Sequence, residues 1–335
     1  MDWQGILTVA LTTAFGPTAI VFALAAIGLN VHFGYTGLVN FGQVAFLAVG
    51  AYTIAMGVVT YGLSFWLCVF LSLVTATVLA LLLGAPTLRL REDYLAIVTI
   101  AAGEIIRLVL RAAEFRESTG GAAGIQNFAG DFYDLNPYSA GRRSFDIPGT
   151  DVGVTYSAND LWLLTVGWGT VALACLVVYL LMRSPWGRVL KAIREDEQAV
   201  RSLGKNVYVY KMQSLIIGGI IGAIGGVLFA LARQSVVPDS LGTLLTFFAY
   251  VALVLGGAAR VLGPVLGAIV FFFLQQFLSS TLRQAVANDH IDFLVANEVG
   301  IVVQILVGVG LMALMIFRPQ GIIGDKSEVA VSVRR

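Results

Sequence analysis

The stretch GLNVHFGYTGLVNFGQ, residues 28–43, interrupts an N-terminal region in which residues 3–88 contain no Asp, Glu, Lys or Arg. It holds four glycines, two asparagines, a histidine and a glutamine, and apolar runs flank it on both sides. A soluble linker would use charged residues here. Glycines and neutral amides instead indicate a special backbone in a place where charge is avoided.

The composition is that of a polytopic membrane protein. Of the 335 residues 58% are hydrophobic and 12% are charged, whereas a soluble domain keeps about 25% charged residues. The mean hydropathy is +0.86. A net charge of +1 argues against a nucleic-acid partner, which requires a clustered basic face. Cys68 and Cys175 lie in apolar runs and are expected to be core residues, not a disulfide or a metal site. We also predict no cofactor and no catalytic residue.

Two interpretations of residues 28–43 remain open. A loop exposed to lipid at membrane depth would leave backbone groups unsatisfied, at several kcal/mol each, so that conformation is excluded. The segment is either a cytoplasmic turn with His32 facing water, or it re-enters the bilayer and its irregular backbone lines a cavity. In the second case the neutral polar residues of a solute path are Asn30, Tyr35, Thr36, Asn40 and Gln43.

Apolar runs of about 20 residues, the length that crosses the hydrocarbon core, predict the membrane spans. They lie at 6–29, 44–61, 65–84, 95–112, 160–182, 208–232, 244–259, 262–282 and 298–317. The N-terminus lacks the basic start of a signal peptide, so we expect it to be retained as the first span. The predicted fold is an all-α polytopic membrane protein with about eight to ten transmembrane helices in one permease-sized domain.

Lysine and arginine positions predict the orientation. Basic residues concentrate in 88–93, in 183–211, at Arg260 and in the tail 318–335, and these segments fall on one side if the spans alternate. Because short cytoplasmic loops are rich in Lys and Arg, that side is the cytoplasm. The loop 113–159 mixes both signs and is predicted to be outside, as is the N-terminus.

Three charged residues lie within one predicted span. Glu104, Arg107 and Arg111 share a helical face. In one interpretation Glu104 and Arg107 form an ion pair that fixes helix packing, and Arg111 extends outward to the membrane surface. In the other, the three residues form a polar lining near the outer mouth of a solute path. A proton relay through Glu104 lacks a second buried carboxylate in the other predicted spans, since Glu298 lies at a span end.

Glycines form two further patterns. Gly218, Gly222 and Gly226, with Gly225 beside them, have the spacing that lets helices approach closely in lipid. The segment 256–268 is a second glycine-rich break. It is a candidate counterpart of 28–43 in an internal repeat.

The basic segment 183–211 has the pattern of an amphipathic helix or helix pair. Apolar residues recur at helical spacing, Pro185 suits a first helical turn, and Gly204 suits a C-terminal cap. It is either a helix lying on the membrane surface or a helix that docks a cytosolic partner. The acidic cluster at 195–197 disfavours anionic lipid and favours docking.

Four motifs in order resemble one family. GYTGLVNFGQVAFLAVGAYT, STGGAAGI, SPWGRVLKAIREDEQAVRSLG and FRPQGIIG together resemble the LivM-type permeases of branched-chain amino acid ABC importers, over about residues 20–324. The loose coupling signature of such permeases has a glutamate where this chain has Gln198. The resemblance implies a type II-like ABC importer permease in a bacterial inner membrane.

The resemblance also implies partners and roles. They are a homologous second permease (LivH-like), two cytosolic ABC ATPase subunits, an extracytoplasmic solute-binding protein docking on the outer loop, and membrane lipid. This chain lacks a complete phosphate-binding loop, since SLGKN has neither its first glycine nor its hydroxyl residue, so ATP hydrolysis belongs to another subunit. The residues expected to couple to the ATPase are Trp186, Arg188, Ile193, Glu197, Ala199, Leu203 and Gly204. STGGAAGI is either a gate or a glycine turn.

Other functions fit part of the pattern. Within the same superfamily the solute could be urea, a short amide or another amino acid. A secondary carrier or a passive channel is the alternative from another class.

Overall fold

The structure is a computed structural model that describes residues 2–90, 92–139, 141–146, 153–288, 298–318 and 320–324. Helices dominate it. In chain order they are α1 (Trp3–Ala14), α2 (Pro17–Leu29), α3 (Gln43–Val59), α4 (Phe65–Thr87), α5 (Glu92–Arg111), α6 (Arg116–Thr119), α7 (Gly130–Asp134), α8 (Ala158–Arg183), α9 (Pro185–Glu195), α10 (Glu197–Ser202), α11 (Val207–Arg233), α12 (Leu244–Gly256), α13 (Gly263–Ala287) and α14 (Val299–Phe317).

A helix lies at each of the nine predicted span positions, which confirms the all-α polytopic fold. Among the described residues, six helical stretches are long and apolar enough to cross a membrane: Pro17–Tyr35, Phe65–Thr87, Ala158–Arg183, Val207–Arg233, Pro238–Gly256 and Gly263–Ala287. The apolar helices Gln43–Val59 and Val299–Gly310 are shorter. The span predicted at 95–112 corresponds to α5, which carries the charged residues.

The first predicted span, 6–29, is wrong as a single helix. Gly16 has an extended backbone (φ −77°, ψ 177°), and Pro17 is the first residue of α2, where its missing N–H costs nothing. The chain therefore breaks into α1 and α2, and the 12 residues of α1 are too few to cross the bilayer, which takes about 20. α1 instead packs on α13, where the Asp2 N–H donates to Gln284 Oε1 at 2.8 Å.

α11 lies at the centre of the bundle, between α2, α3 and α4. A Cβ added at Gly226 would lie 2.0 Å from the Leu47 carbonyl oxygen, and one added at Gly222 would lie 2.4 Å from Gln43 Nε2. The predicted glycine face is therefore confirmed as the place where backbones come into contact. Cys68 and Cys175 are buried free thiols, as expected of core residues.

The loop 113–159 and the end of α11 carry small elements that the sequence did not predict. β1 (Ile125–Gln126) pairs with β4 (Ser235–Val236), and β2 (Arg142–Asp146) pairs with β3 (Gly153–Ser157), both antiparallel. In STGGAAGI, Gly120 and Gly124 both have a φ of +74°, and a Cβ on Gly124 would lie 2.1 Å from the Val236 carbonyl oxygen. These contacts are those of a packed glycine turn. The gate role remains a prediction.

The described parts of the basic segments lie together at one end of the bundle, and residues 325–335 of the predicted tail lie outside the described residues. Arg89 stands over the Tyr208 ring at 5.7 Å, which joins 88–93 to the start of α11. At the other side, the Ile322 N–H donates to the Leu255 carbonyl at 2.9 Å, so the FRPQGIIG segment folds against the end of α12. That this end faces the cytoplasm remains a prediction.

Candidate functional site

Residues 30–42 continue α2 and then turn within the protein. Asn30–Tyr35 form a π-helix, an irregularity that often occurs at functional sites, and the chain is non-helical from Gly37 until α3 begins at Gln43. His32 and Gln43 are 0% exposed and Asn30 is 1% exposed. The interpretation as a water-facing turn with a solvated His32 is therefore wrong.

The buried polar side chains bond to one another and to α11. His32 Nε2 lies 3.2 Å from the Leu215 carbonyl oxygen, and its Nδ1 lies 3.1 Å from Asn40 Nδ2. Because the amide donates and the carbonyl accepts, this pattern fits a neutral imidazole with its proton on Nε2. Gln43 Nε2 donates to the Gly218 carbonyl at 3.2 Å, through the gap left by the glycine face. We call Asn30, His32, Asn40 and Gln43, with their partners, the inner network.

Hydroxyl groups on neighbouring helices complete the inner network. Two of them accept from backbone N–H groups: Thr99 on α5 from Phe41 at 3.0 Å, and Thr246 on α12 from Val44 at 2.9 Å. The other two donate to backbone carbonyls: Ser214 on α11 to Val31 at 3.1 Å, and Tyr250 on α12 to Asn40 at 2.9 Å. None of these four hydroxyl groups was predicted from the sequence. Their only signal was a polar group within an apolar span.

Asn30 joins the two glycine-rich breaks. Its Nδ2 donates to the Arg260 carbonyl at 2.8 Å, and its Oδ1 accepts from Ala259 N at 2.8 Å. Ala259 has a φ of +59°, an uncommon conformation for a residue with a Cβ, and the Asn30 bond holds it. The breaks at 28–43 and 256–268 are thus in contact. The internal repeat remains a prediction.

Charged residues form a separate group toward the outer end of α5. Arg107 Nε donates to the Glu104 carboxylate at 3.0 and 3.1 Å, and its Nη1 donates to Asp239 Oδ1 at 2.7 Å. Arg111 Nη1 also reaches Asp239, at 3.3 Å. The predicted Glu104–Arg107 ion pair is present, and Asp239, which the sequence did not indicate, connects α5 to the turn before α12. We call these four residues the outer cluster.

The residues predicted for a solute path therefore divide into two groups. Asn30, Tyr35, Asn40 and Gln43 come together in or beside the inner network, where protein partners occupy the three amides. Glu104 and Arg107 belong to the outer cluster. A role in the path remains a prediction for both groups.

The amphipathic segment forms two short helices, α9 and α10. Ser184 caps α9 and Pro185 is its first residue, as predicted. The apolar face is buried against the protein, with Leu190 at 0% and Ile193 at 4% exposure, and Trp186 Nε1 donates to Gln213 Oε1 at 2.8 Å. Because this face is already covered, α9 has little apolar surface left to insert into lipid, which favours a docking role.

α10 is fixed at both ends. Asp196 Oδ1 accepts from the N–H groups of Gln198 and Ala199 at 2.9 and 3.0 Å. At the other end Gly204 has a φ of +76°, and the bonds Gly204 N to Arg201 O and Lys205 N to Val200 O form a Schellman motif. Gly204 is therefore the predicted C-terminal cap.

One acidic residue ties α10 to α11. The Glu197 carboxylate pairs with Lys211 and Arg201. Burial would raise the pKa of the Glu197 carboxyl, but the bonds and charges of Lys211 and Arg201 outweigh burial and lower this pKa below its ordinary value. Of the other predicted coupling residues, Arg188 and Ala199 are exposed, and Leu203 is 80% exposed.

Contacts from α9 reach the 30–42 segment, which carries the inner network. Arg194 Nη1 donates to the Gly34 carbonyl at 2.5 Å, and Lys191 lies over the Tyr35 ring at 5.8 Å. A Cβ on Gly37 would lie 3.4 Å from Arg194 Cγ. Movement of α9 would therefore act on the π-helix without an intermediate element. Arg194 was not among the residues that the sequence predicted.

The chain is similar to known permeases over most of its length. The family described as "Branched-chain amino acid transport system / permease component" matches residues 12–307. The high-affinity branched-chain amino acid transport system permease proteins LivM of Escherichia coli and Salmonella typhimurium are each 33% identical to it, over 93% and 91% of this chain and 70% and 68% of theirs. A probable LivM of Methanocaldococcus jannaschii is 22% identical over 94% of both chains.

The family match covers the inner network, the outer cluster and the α9–α10 segment alike. The E. coli and Salmonella typhimurium relatives extend the similarity to more than nine-tenths of the chain. The chain therefore belongs to the family of branched-chain amino acid transport system permease components.

Proposed function

We propose that this chain is a transmembrane subunit of an ATP-driven importer and forms, with a second permease, the path for leucine, isoleucine and valine across a bacterial inner membrane. Two cytosolic ATPases and an extracytoplasmic solute-binding protein complete the assembly. The observation that carries the proposal is the family match over residues 12–307. The named LivM relatives support the choice of solute.

The geometry of α9 and α10 supports a coupling role. Their apolar face rests on the core, while Arg188, Ala199 and Leu203 remain exposed for a cytosolic subunit. A push on these helices passes through the bond between Arg194 and the Gly34 carbonyl into the π-helix. Hydrogen bonds of the inner network join the π-helix to α11. The push would therefore move these two elements together at the centre of the bundle.

The inner network suits a transporter of uncharged or zwitterionic solutes. Its side chains are neutral, so they do not hold an ion in the membrane. A rearrangement of α2 relative to α11 would expose amide and backbone groups that now bond to each other, such as Gln43 and the Gly218 carbonyl. Such groups offer brief hydrogen bonds to a solute that a separate binding protein has already selected.

The direct test is to reconstitute the complete transporter in liposomes and measure ATP hydrolysis and uptake with the binding protein loaded with leucine, urea or a short amide. We expect leucine to stimulate both activities. Stimulation by urea or an amide but not by leucine would overturn the choice of solute. Uptake by this chain alone, or driven by an ion gradient without ATP, would overturn the importer assignment.

The coupling role has its own test in Gly204. Proline cannot adopt the φ of +76° found there, whereas asparagine tolerates it. We expect Gly204→Pro to abolish stimulation of ATP hydrolysis by the loaded binding protein and Gly204→Asn to retain it, with both proteins still inserting and assembling. Normal stimulation in Gly204→Pro would contradict a docking role for α10.

A further inference from the structure

A basic cavity opens at the cytoplasmic end of the bundle, where α8 ends beside α9 and the turn between α12 and α13. Three cationic residues line it: Arg183, Lys191 and Arg260. Tyr35 and Tyr179 form part of its wall, and no carboxylate lines it in the described part of the chain. Among the described residues, the charged side chains that line the cavity are therefore all cationic.

Two of the cations are held against aromatic rings. The Arg183 guanidinium carbon lies 4.4 Å from the centroid of the Tyr179 ring, and Lys191 Nζ lies 5.8 Å from that of Tyr35. Both distances are within the range of a cation–π contact, which orients the cation and leaves its charge in place. The rings thus hold Arg183 and Lys191 at the cavity wall.

The backbone of the cavity is fixed by buried contacts. Asn30 bonds to Ala259 N and to the Arg260 carbonyl, and so holds the turn that carries Arg260. Ile323, which also lines the cavity, donates its N–H to the Gly256 carbonyl at 3.1 Å. The site is a formed concavity between four chain segments, unlike a row of surface lysines.

The cavity lies at the level where the spans meet the cytosol. Arg183 is the last residue of α8, and Tyr179 precedes it by one turn. Leu262, on the wall, is 59% exposed and offers an apolar surface next to the cations. Tyrosine and arginine beside apolar side chains are typical of the headgroup region of a membrane.

We propose that this cavity binds the phosphate of an anionic phospholipid from the cytoplasmic leaflet, with Arg183, Lys191 and Arg260 around the phosphate and the acyl chains along Leu262. Basic pockets between transmembrane helices on the cytoplasmic side bind such headgroups. The exposed Leu262 favours lipid over free phosphate, because a phosphate ion would leave it uncovered. The site goes beyond the transport role, and its occupant does not depend on which solute is carried.

A lipid bound in the cavity would also affect coupling, because two residues of the cavity wall belong to the elements proposed to transmit the push. Lys191 lies on α9 and Tyr35 on the π-helix, and both line the cavity. A lipid phosphate bound there would fix α9 against the inner network.

The test uses the assembled transporter in nanodiscs of phosphatidylcholine with phosphatidylglycerol that carries a photoreactive group near its phosphate. Labelled peptides are mapped by mass spectrometry. We expect labelling in 179–191 and 259–262, competed by unlabelled phosphatidylglycerol but not by phosphatidylcholine or inorganic phosphate. Each of Arg183→Gln and Lys191→Gln should weaken competition by about fivefold, the effect expected for one cation near an anionic headgroup.

Arg89→Gln is the matched control. Arg89 is at the same end of the bundle and also stands over a tyrosine ring, but it does not line the cavity. It should leave labelling unchanged. The proposal would be overturned by labelling that ignores the headgroup or is displaced by phosphate, or by competition with phosphatidylglycerol that is as strong in both single variants as in wild type. If the Arg183→Gln, Lys191→Gln double variant loses its ATPase subunits while labelling is unchanged, the cations dock a protein and the lipid site is wrong.

Discussion

The inner network and the outer cluster are two polar regions in one apolar bundle, and α5 contributes to both. In the inner network the amides of Asn30, Asn40 and Gln43 and the imidazole of His32 are buried, and they bond to neutral groups that include the half-buried Tyr250. The outer cluster uses full charges, and its members are partly exposed: Arg107 at 18%, Glu104 at 40% and Asp239 at 50%. Neutral polar groups are thus found where the side chains are buried, and charged groups where they are partly exposed to solvent.

The difference follows from the cost of burying charge. An ion taken out of water loses several kcal/mol even after the protein relaxes, whereas an amide with its hydrogen bonds made costs little. Neutral groups can therefore be buried completely in 30–43, and glycines on α11 make the room that they need. At the outer cluster, water still solvates part of each charge. This explains why residues 28–43 are polar without being charged.

The largest expected effect comes from placing a charge in the inner network. Gln43→Glu preserves shape but points a carboxylate at the carbonyls of Gly218 and Ala25, which now accept from the amide. We expect a loss of about 3–5 kcal/mol in the free energy of unfolding, comparable to an uncompensated buried charge. Denaturant titration of the purified transporter measures it.

The control for this change is Gln126→Glu, which alters an exposed residue of β1. It should shift the free energy of unfolding by less than about 0.5 kcal/mol. If the two variants were equally stable, the burial argument would fail.

The second effect tests the room that glycine provides. A Cβ at Gly218 would lie 2.2 Å from His32 Nε2 and 2.4 Å from the Gly28 carbonyl oxygen. We expect Gly218→Ala to destabilise the transporter by about 1–3 kcal/mol, as overpacking does. Gly169→Ala on α8, where a Cβ would meet nothing within 4 Å, should be neutral or slightly stabilising. Thermal unfolding compares the stability of the two variants. If Gly218→Ala were as stable as Gly169→Ala, the inner network would have to repack freely around the added methyl group.

The third effect concerns the outer cluster. Arg107 bonds to both Glu104 and Asp239, whereas Arg111 makes one longer contact. We expect Arg107→Gln to cost about 1–2 kcal/mol and Arg111→Gln about 0.5 kcal/mol or less, because exposed pairs contribute little. Raising the ionic strength to about 1 M should reduce the Arg107 effect. Equal costs for the two variants would show that Arg107 does not join α5 to the 238–240 turn.

The same contrast explains what the sequence could predict. Apolar runs located helices at all nine predicted spans, although the first run holds two, and spacing of three residues located the Glu104–Arg107 pair. Both signals depend on neighbours along the chain. Asp239 is 132 residues from Arg107, and Thr246 is 202 residues from Val44, so no local pattern indicates these contacts. The break of the first predicted span did have a local signal, Gly16 before Pro17, which the apolar run obscured.

Residues 28–43 show the limit most clearly. Their glycines and amides indicated an irregular backbone, but a turn in water and a buried segment have the same composition. Only the positions of α11 and α12 decide between them, through Leu215, Gly218 and Tyr250. Arg194 was missed for a similar reason, since an arginine at the end of an amphipathic helix is usually solvated.

The smallest expected effect lies in α10, where a charge pair is partly exposed. Lys211 and Arg201 lower the pKa of Glu197, so its ionised form stabilises the folded state above the ordinary glutamate pKa, and that stabilisation is lost as the pH falls through the lowered value. We expect Glu197→Gln to cost about 0.5–1 kcal/mol at pH 7. The cost should shrink below about pH 4, where glutamate becomes protonated.

Unfolding of wild type and Glu197→Gln, measured between neutral pH and the lowest pH at which the transporter stays soluble, gives the difference directly. Glu114→Gln, which changes an exposed acid in the outer loop, is the control for the loss of one negative charge. A gap between wild type and Glu197→Gln that widened on acidification would have the wrong sign for this ion pair. In that case Glu197 would act through burial rather than through Lys211, and α10 would be held to α11 by Val200 and its apolar neighbours instead.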